Sequence, residues 1–570
     1  MSGAPETITA AHAALEGLQG IEGVAPLGPG DLQCATTTPA DLLRVLSTLK
    51  NGRGFTHLAL LTAVDSQGDI GGLDMIYAVT RRADHTTVTL TVHLPEASLS
   101  LPSLADLWPG AAPLEREVFD LFGVRFVGHP DLKRIVLRDD FVGHPLRKSY
   151  EMPVGGVSSE QVAVAVKTHG ETAHRLSHTD APAAEHDPRV AHSPFVEGTL
   201  PGDPSLHSER LILNMGPQHP SMHGVLHLWL AFEGEIVKGA EISHGYLHRC
   251  IEKLCETRNY RAAIALLDRC DYVSGFHTEL AYLLAAEELA ELEVTPKADY
   301  LRVLFSELNR LSSHHTWLTA VGFDIGALQP FFLAFVDREK LVDIFEMVSG
   351  SRMMFNYFRP GGVKADLPPG ADKAIREMLL GVDKTIDECE AMLTNNEIFR
   401  NRVRGVGAMS PSLIGAWGVT GPMMRASGLD FDLRRDEPYS AYADFDVRVP
   451  LGEAGDSFDR YKVRLGEMRE AGRLALQALD GMPEGDFVSP DVPRVFKPPA
   501  GTAYRRVESP RGELGVLLVS DGTANPWRLK VRSPAFSNLH VAATVLDGVR
   551  MGDVVAIMGS VDVVMGEIDR

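Results

Sequence analysis

The residues equipped for chemistry in this chain are imidazoles, phenols and carboxylates near glycines. His223 stands in the glycine-bounded stretch 216–224, GPQHPSMHG. Pro220 breaks the His219-x-x-x-His223 spacing, so the two rings cannot clamp a metal from one helical face. An imidazole near pKa 6.5 can donate or shuttle a proton at neutral pH, and it can equally serve only to fix a loop. Tyr272, in DYVS at 271–274, falls towards the end of a helical run. Its apolar ring and single polar tip suit a ligand in an apolar cavity, and suit a core position equally well. Asp324 follows a long apolar helical pattern. It can hold an imidazole in one tautomer, or cap a neighbouring helix. Arg249, in HRCIEK at 248–253, is either a fixed cation favouring the reduced form of a nearby redox centre or an ion-pair partner of Glu252. Glu115, Arg116 and Glu117 read as contacts stitching their region to its neighbours.

Thiolates are scarce. The five cysteines, at 34, 250, 255, 270 and 389, form no four-cysteine pattern for an iron–sulfur cluster and speak for a reducing compartment. A net charge of −21 argues against nucleic acid as the main partner. No signal peptide is evident, and no apolar run approaches the roughly 20 residues that span a bilayer. The longest runs, 58–64 and 515–520, are strand-sized. A soluble, cytoplasmic chain that meets membranes only through a partner is expected.

The elements that must position these groups divide by texture. Over 55–64, 73–80 and 86–94 the chain reads as strands, and over 104–108 and 113–122 as helix, giving an α+β region within 1–150. Residues 151–209, interrupted by prolines, glycines and irregularly spaced histidines, read as a linker. From 210 a short strand (211–214) and a hairpin (225–232 with 235–242) precede long helical patterns at 261–274, 278–292, 298–321, 330–349 and 372–394. Strands return at 512–519, 527–531 and 554–558. The fold class expected is α+β: an N-terminal α/β sandwich-like domain (1–150), then a mainly helical bundle with a small β cap (210–570).

Two stretches resemble one enzyme. EREVFDLFG at 115–123, followed by Phe126, His129, Pro130, Arg134 and GHPLRK at 143–148, is similar to the C subunit of proton-pumping NADH:quinone oxidoreductase (complex I). GPQHPSMHG, HRCIEK, DYVS, DIGA at 324–327, RPGGV at 359–363, RASG at 425–428, DLRR at 432–435, GSVD at 559–562 and GEIDR at 566–570 resemble its D subunit. The fused C/D arrangement is known in that family. The resemblance implies a quinone pocket in which His223 and Tyr272 bond the two quinone carbonyls. Asp324 then supports the imidazole, and Arg249 lies near the terminal iron–sulfur cluster. That cluster belongs to the B subunit, further clusters and FMN lie on other subunits, and this chain ligates no metal. Implied partners are the B, I and G subunits and the membrane-embedded H subunit, at the cytoplasmic face of the cell membrane.

The D part is also similar to nickel–iron hydrogenase large subunits. Such a protein holds its metals with one Cys-x-x-Cys near each end. Here those places read RCIEKLC (249–255) and GSVDVVM (559–565), and no cysteine follows Cys389. A metal-bearing hydrogenase-type subunit and a purely structural scaffold are the alternatives. Cys250 replaces the glycine usual in the D pattern and reads as a buried inert thiol.

Overall fold

The computed structural model describes residues 11–150, 211–219 and 224–570, apart from 12, 27–32 and 67–70. The expected linker, 151–209, and His223 lie outside the described residues.

Five strands open the fold: β1 (Ile21–Pro26), β2 (Gln33–Thr37), β3 (His57–Asp65), β4 (Leu73–Arg81) and β5 (Thr86–Leu94). They form one sheet in the order β1-β2-β5-β4-β3, antiparallel except for the parallel pair β2–β5. Helices α1 (Leu42–Ser47) and α2 (Ala111–Phe122) contribute Leu42, Val45, Val118 and Phe122 to the core it shares. The run 104–108, expected as helix, is a turn. Pro109 disfavours helical backbone at Trp108, and Glu115 accepts from the amide of Leu104 (2.6 Å) and the hydroxyl of Ser103 (2.6 Å).

The second half begins with β6 (Leu211–Met215), β7 (His227–Glu233) and β8 (Ile236–Ser243), antiparallel in the order β8-β7-β6. Six helices then lead into the bundle: α3 (Ile251–Glu256), α4 (Tyr260–Leu267), α5 (Gly275–Leu289), α6 (Pro296–Ile325), α7 (Leu328–Ser349) and α8 (Ala371–Leu393). Helix α9 (Ser457–Asp480) packs on α6 and is capped by Asp456, which accepts from the amide of Asp459 at 2.8 Å. A third antiparallel sheet, β9 (Gly501–Ser509), β10 (Gly512–Ser520) and β11 (Arg528–Arg532), precedes α10 (Pro534–Val545), α11 (Met551–Val561) and α12 (Met565–Asp569). Residues 554–558, expected as a strand, belong to α11. Asp553 reaches back to the amide of Arg550 (3.3 Å), and that cap outweighs the local valines. No described helix is long and apolar enough to cross a membrane.

The two longest apolar runs of the sequence meet at the seam between these halves. On β10, Leu514, Val516 and Leu518 face the helices, while Leu517 and Val519 face β3 and β4, where Leu60, Val64, Ile76 and Ala78 receive them. A strand covered on both faces reads as a continuous apolar run. Polar contacts frame this patch. The Trp527 indole donates to the Asp65 carbonyl (2.9 Å), and Glu117 takes Lys530 (2.7 Å) and Arg570 (2.8 Å). Among the described residues Glu117 bonds across the seam, while the hydrogen bonds of Glu115 and Arg116 stay within their own half and the Arg116 charge acts across it on Glu241.

His57 is also sealed into the seam, 1% exposed, with Nε2 3.4 Å from Glu513 and Nδ1 3.2 Å from an Arg82 N–H. Burial and the Arg82 charge push its pKa down to about 4, against the pull of Glu513. The folded chain thus refuses a proton that the unfolded chain binds below pH 6.5. Stability from this group is complete above pH 6.5 and falls as the pH drops towards 4, by about 2 kcal/mol at pH 5. Thermal unfolding of the full chain between pH 7.5 and 5 should therefore flatten in His57→Gln. An unchanged slope would remove His57 as the cause.

Candidate functional site

Tyr272 lies beyond α4, in the turn before α5, and not at a helix end as its apolar spacing implied. Asp271 builds that turn. Its carboxylate accepts from the Ser274 amide (3.1 Å) and hydroxyl, and from Arg511 Nη1 (2.8 Å). Arg511 is wholly buried and also reaches Asp562 (3.5 Å) and the Ser313 hydroxyl on α6 (3.3 Å). The Tyr272 ring lies against Gly566. A Cβ there would come within 2.7 Å of the Cys270 carbonyl and 3.1 Å of the ring, so the site demands glycine. Burial raises the Tyr272 pKa, Arg511 opposes, and Asp271 and Asp562 add to the rise, so the phenol keeps its proton at neutral pH.

Gly224, which closes the stretch 216–224, approaches the same place. Gly216 takes a positive φ of 98°, and a Cβ on it would sit 2.0 Å from the Leu226 carbonyl. Gly224, at φ 132°, packs on Met565, whose Cγ would lie 3.1 Å from any added Cβ. The closing glycine of the loop and the tyrosine thus abut adjacent residues, Met565 and Gly566. His223 lies outside the described residues.

Asp324 occupies the last turn of α6, half-buried. The N-cap of α7 is Ala327, with no side-chain bond of its own. Among the described residues, Tyr272 and Gly224 meet at 565–566. Arg249 is exposed, just before α3. The alternative ion pair with Glu252 does not form: that carboxylate is taken by Arg528 (2.8 Å) and Lys530 (3.5 Å). Among the described residues no group of three His, Cys, Asp or Glu side chains is placed to hold a metal ion.

Glu567 was not singled out from sequence. It is fully buried, with Asp271, Asp562, Arg511 and the Ser533 side chain as its electrostatic neighbours. Burial, with Asp271 and Asp562 adding and Arg511 opposing, pushes its pKa up to about 8, so it too holds a proton at neutral pH. An acid inside the apolar stretch 563–568 was the available signal.

Comparison with known proteins places this geometry. Residues 35–154 match the family model of the respiratory-chain NADH dehydrogenase 30 kDa subunit, and 324–496 with 490–570 match that of the 49 kDa subunit. The C/D subunit of the Phocaeicola vulgatus NADH-quinone oxidoreductase is 34% identical over 92% of this chain and 96% of its own length. Its counterpart from Gluconacetobacter diazotrophicus, also a C/D subunit, is 35% identical over 96% and 95%. The chain belongs to this C/D family of the respiratory-chain NADH dehydrogenase. The separate D subunit from Citrifermentans bemidjiense aligns over its whole length with 64% of the chain, at 44% identity. As a family member the chain is an oxidoreductase subunit of complex I, so the other complex I subunits are its partners.

Gly566→Ala should cost about 1–3 kcal/mol, because the backbone carbonyl of Cys270 cannot yield as a side-chain end would. Gly552→Ala, where nothing lies within 4 Å, should leave the melting temperature unchanged or slightly raised. Equal melting temperatures for both variants would contradict the close packing at Tyr272.

Proposed function

We propose that this chain lines the quinone-reduction site of a proton-translocating NADH:quinone oxidoreductase. Its regions are C-like (1–150), linker (151–209) and a D-like quinone-site domain of hydrogenase large-subunit type (210–570). Electrons come from the terminal iron–sulfur cluster of the B subunit, with Arg249 beside it and FMN upstream on another polypeptide. The setting at the cytoplasmic face of the membrane is completed by the I and G subunits and the membrane-embedded H subunit.

Reducing a quinone to a quinol consumes two electrons and two protons. This chain's task is to hold the two carbonyl oxygens and offer protons to them. Tyr272 donates to one carbonyl, His223 to the other, and Asp324 stabilises the imidazolium. The carrying observation is the convergence of Tyr272 and Gly224, the glycine that closes the 216–224 stretch, on Met565 and Gly566. Two further facts support it: the phenol keeps its proton, and Glu567, next in sequence to Gly566, holds another. A hydrogenase-type metal site has no support in this geometry, since Asp562, in the place of a thiolate, is engaged by Arg511.

Tyr272→Phe in the membrane-bound complex should lower NADH:quinone reductase activity at least about tenfold, the order of one well-placed proton donor or hydrogen bond. Assembly and NADH oxidation by ferricyanide should persist. Wild-type quinone reductase activity would refute the site, and loss of assembly would favour the scaffold reading.

A further inference from the structure

Cys250 does not behave as the buried inert thiol its sequence context implied. The remaining cysteines are sealed in the interior, where burial pushes Cys34 to about 11, Cys389 to about 12, and Cys255 and Cys270 higher still. Such thiols are poor nucleophiles at neutral pH. Cys250 is half-buried, in left-handed backbone (φ 54°) at the entrance to α3. Its Sγ lies 3.3 Å from His248 Nε2, and His248 Nδ1 donates to the Asp569 carbonyl at 2.6 Å. That carbonyl fixes the ring so that Nε2 faces the sulfur. The three groups reproduce the logic of an activated nucleophile: attacking atom, adjacent base, and an acceptor that orients the base.

The dyad opens on a cavity at the seam between the two halves, also lined by Leu121, Leu146, Glu117, Lys253 and Arg570. Glu117, 4% exposed, accepts from Lys530 and Arg570 at Oε1, while its Oε2 has no hydrogen-bond partner among the described residues. A buried acceptor left open beside a nucleophile calls for a small O–H-bearing ligand. The charged groups around the sulfur come from every side: Glu117 on α2, Glu252 and Lys253 on α3, Asp569 and Arg570 at α12. Burial alone would lower the His248 pKa, but the sulfur and Asp569 carry it up to about 9.

We infer that Cys250, in contact with His248 and open to the cavity, is the cysteine of this chain that a hydroperoxide oxidises. The sulfur attacks one peroxide oxygen, an S–O bond forms and the O–O bond breaks. The departing hydroxide or alkoxide takes up the thiol proton, relayed by His248. Sulfur is oxidised by two electrons to the sulfenic acid, and the hydroperoxide is reduced to water or an alcohol.

The test uses the membrane-bound complex, limiting hydrogen peroxide at pH 7, and dimedone trapping read by peptide mass spectrometry. Cys250 should be trapped at least about tenfold faster than any other cysteine of the chain. His248→Asn should slow that trapping about tenfold. Should the variant fail to assemble, the native trapping rates decide alone. A Cys250 that stays unmodified, or is trapped no faster than the sealed cysteines, overturns the inference.

Discussion

Burying charge is tolerable only when each charge finds its counterpart, and the segment 562–570 is where this protein meets that condition most densely. Asp562 faces Arg511; Asp569 accepts from His244 (2.9 Å) and from the amides of Gly245 and Leu247 (2.8 Å each); Arg570 binds Glu117 across the seam. Fixed in this way, the same segment presents Met565 to Gly224, Gly566 to Tyr272 and the Asp569 carbonyl to His248. Three motifs far apart in the chain owe their relative positions to one stretch of backbone held by ion pairs.

The bundle behind it is ionic to an unusual depth. Glu307 takes Arg310, Arg434 and the Tyr442 hydroxyl; Asp432 takes Arg434 and Arg425; Glu467 takes Arg425 and His314. Burial opposes ionisation, yet Arg425 and His314 hold Glu467 down to about 2, while burial prevails at Glu508 and raises it to about 7. A well-packed apolar core would match such a network in stability. What the ions add is register: each guanidinium fork fits one arrangement of carboxylates, so α6 and α9 cannot slide past one another.

That choice governs how far the structure could be read from sequence. The seam strands were legible because both their faces are apolar, and α5 to α8 were legible from their spacing. Helix α9 was not read, since its core-facing positions include Arg460, Arg464 and Glu467, and a polar residue turned inward erases the periodicity. Helix α11 is apolar on nearly every side, which hides its period in the opposite way. At the site, Tyr272 stood out by its motif and its position in a turn did not. Glu567 showed only as an acid inside an apolar stretch, since its countercharge, Arg511, lies far away in sequence.

On the proposed reading, the balance around Arg511 decides how readily protons are released to a quinone. Its guanidinium lowers the pKa of both Tyr272 and Glu567, while Asp271 and Asp562 raise both. One cation and two anions therefore set two proton donors together. Reduction adds negative charge to the quinone oxygens, and a donor near neutral pKa follows that charge more easily than a phenol alone. Glu567, pushed up to about 8, is the closer match to the ambient proton activity. The same buried ion set that locks the backbone thus also tunes the protons.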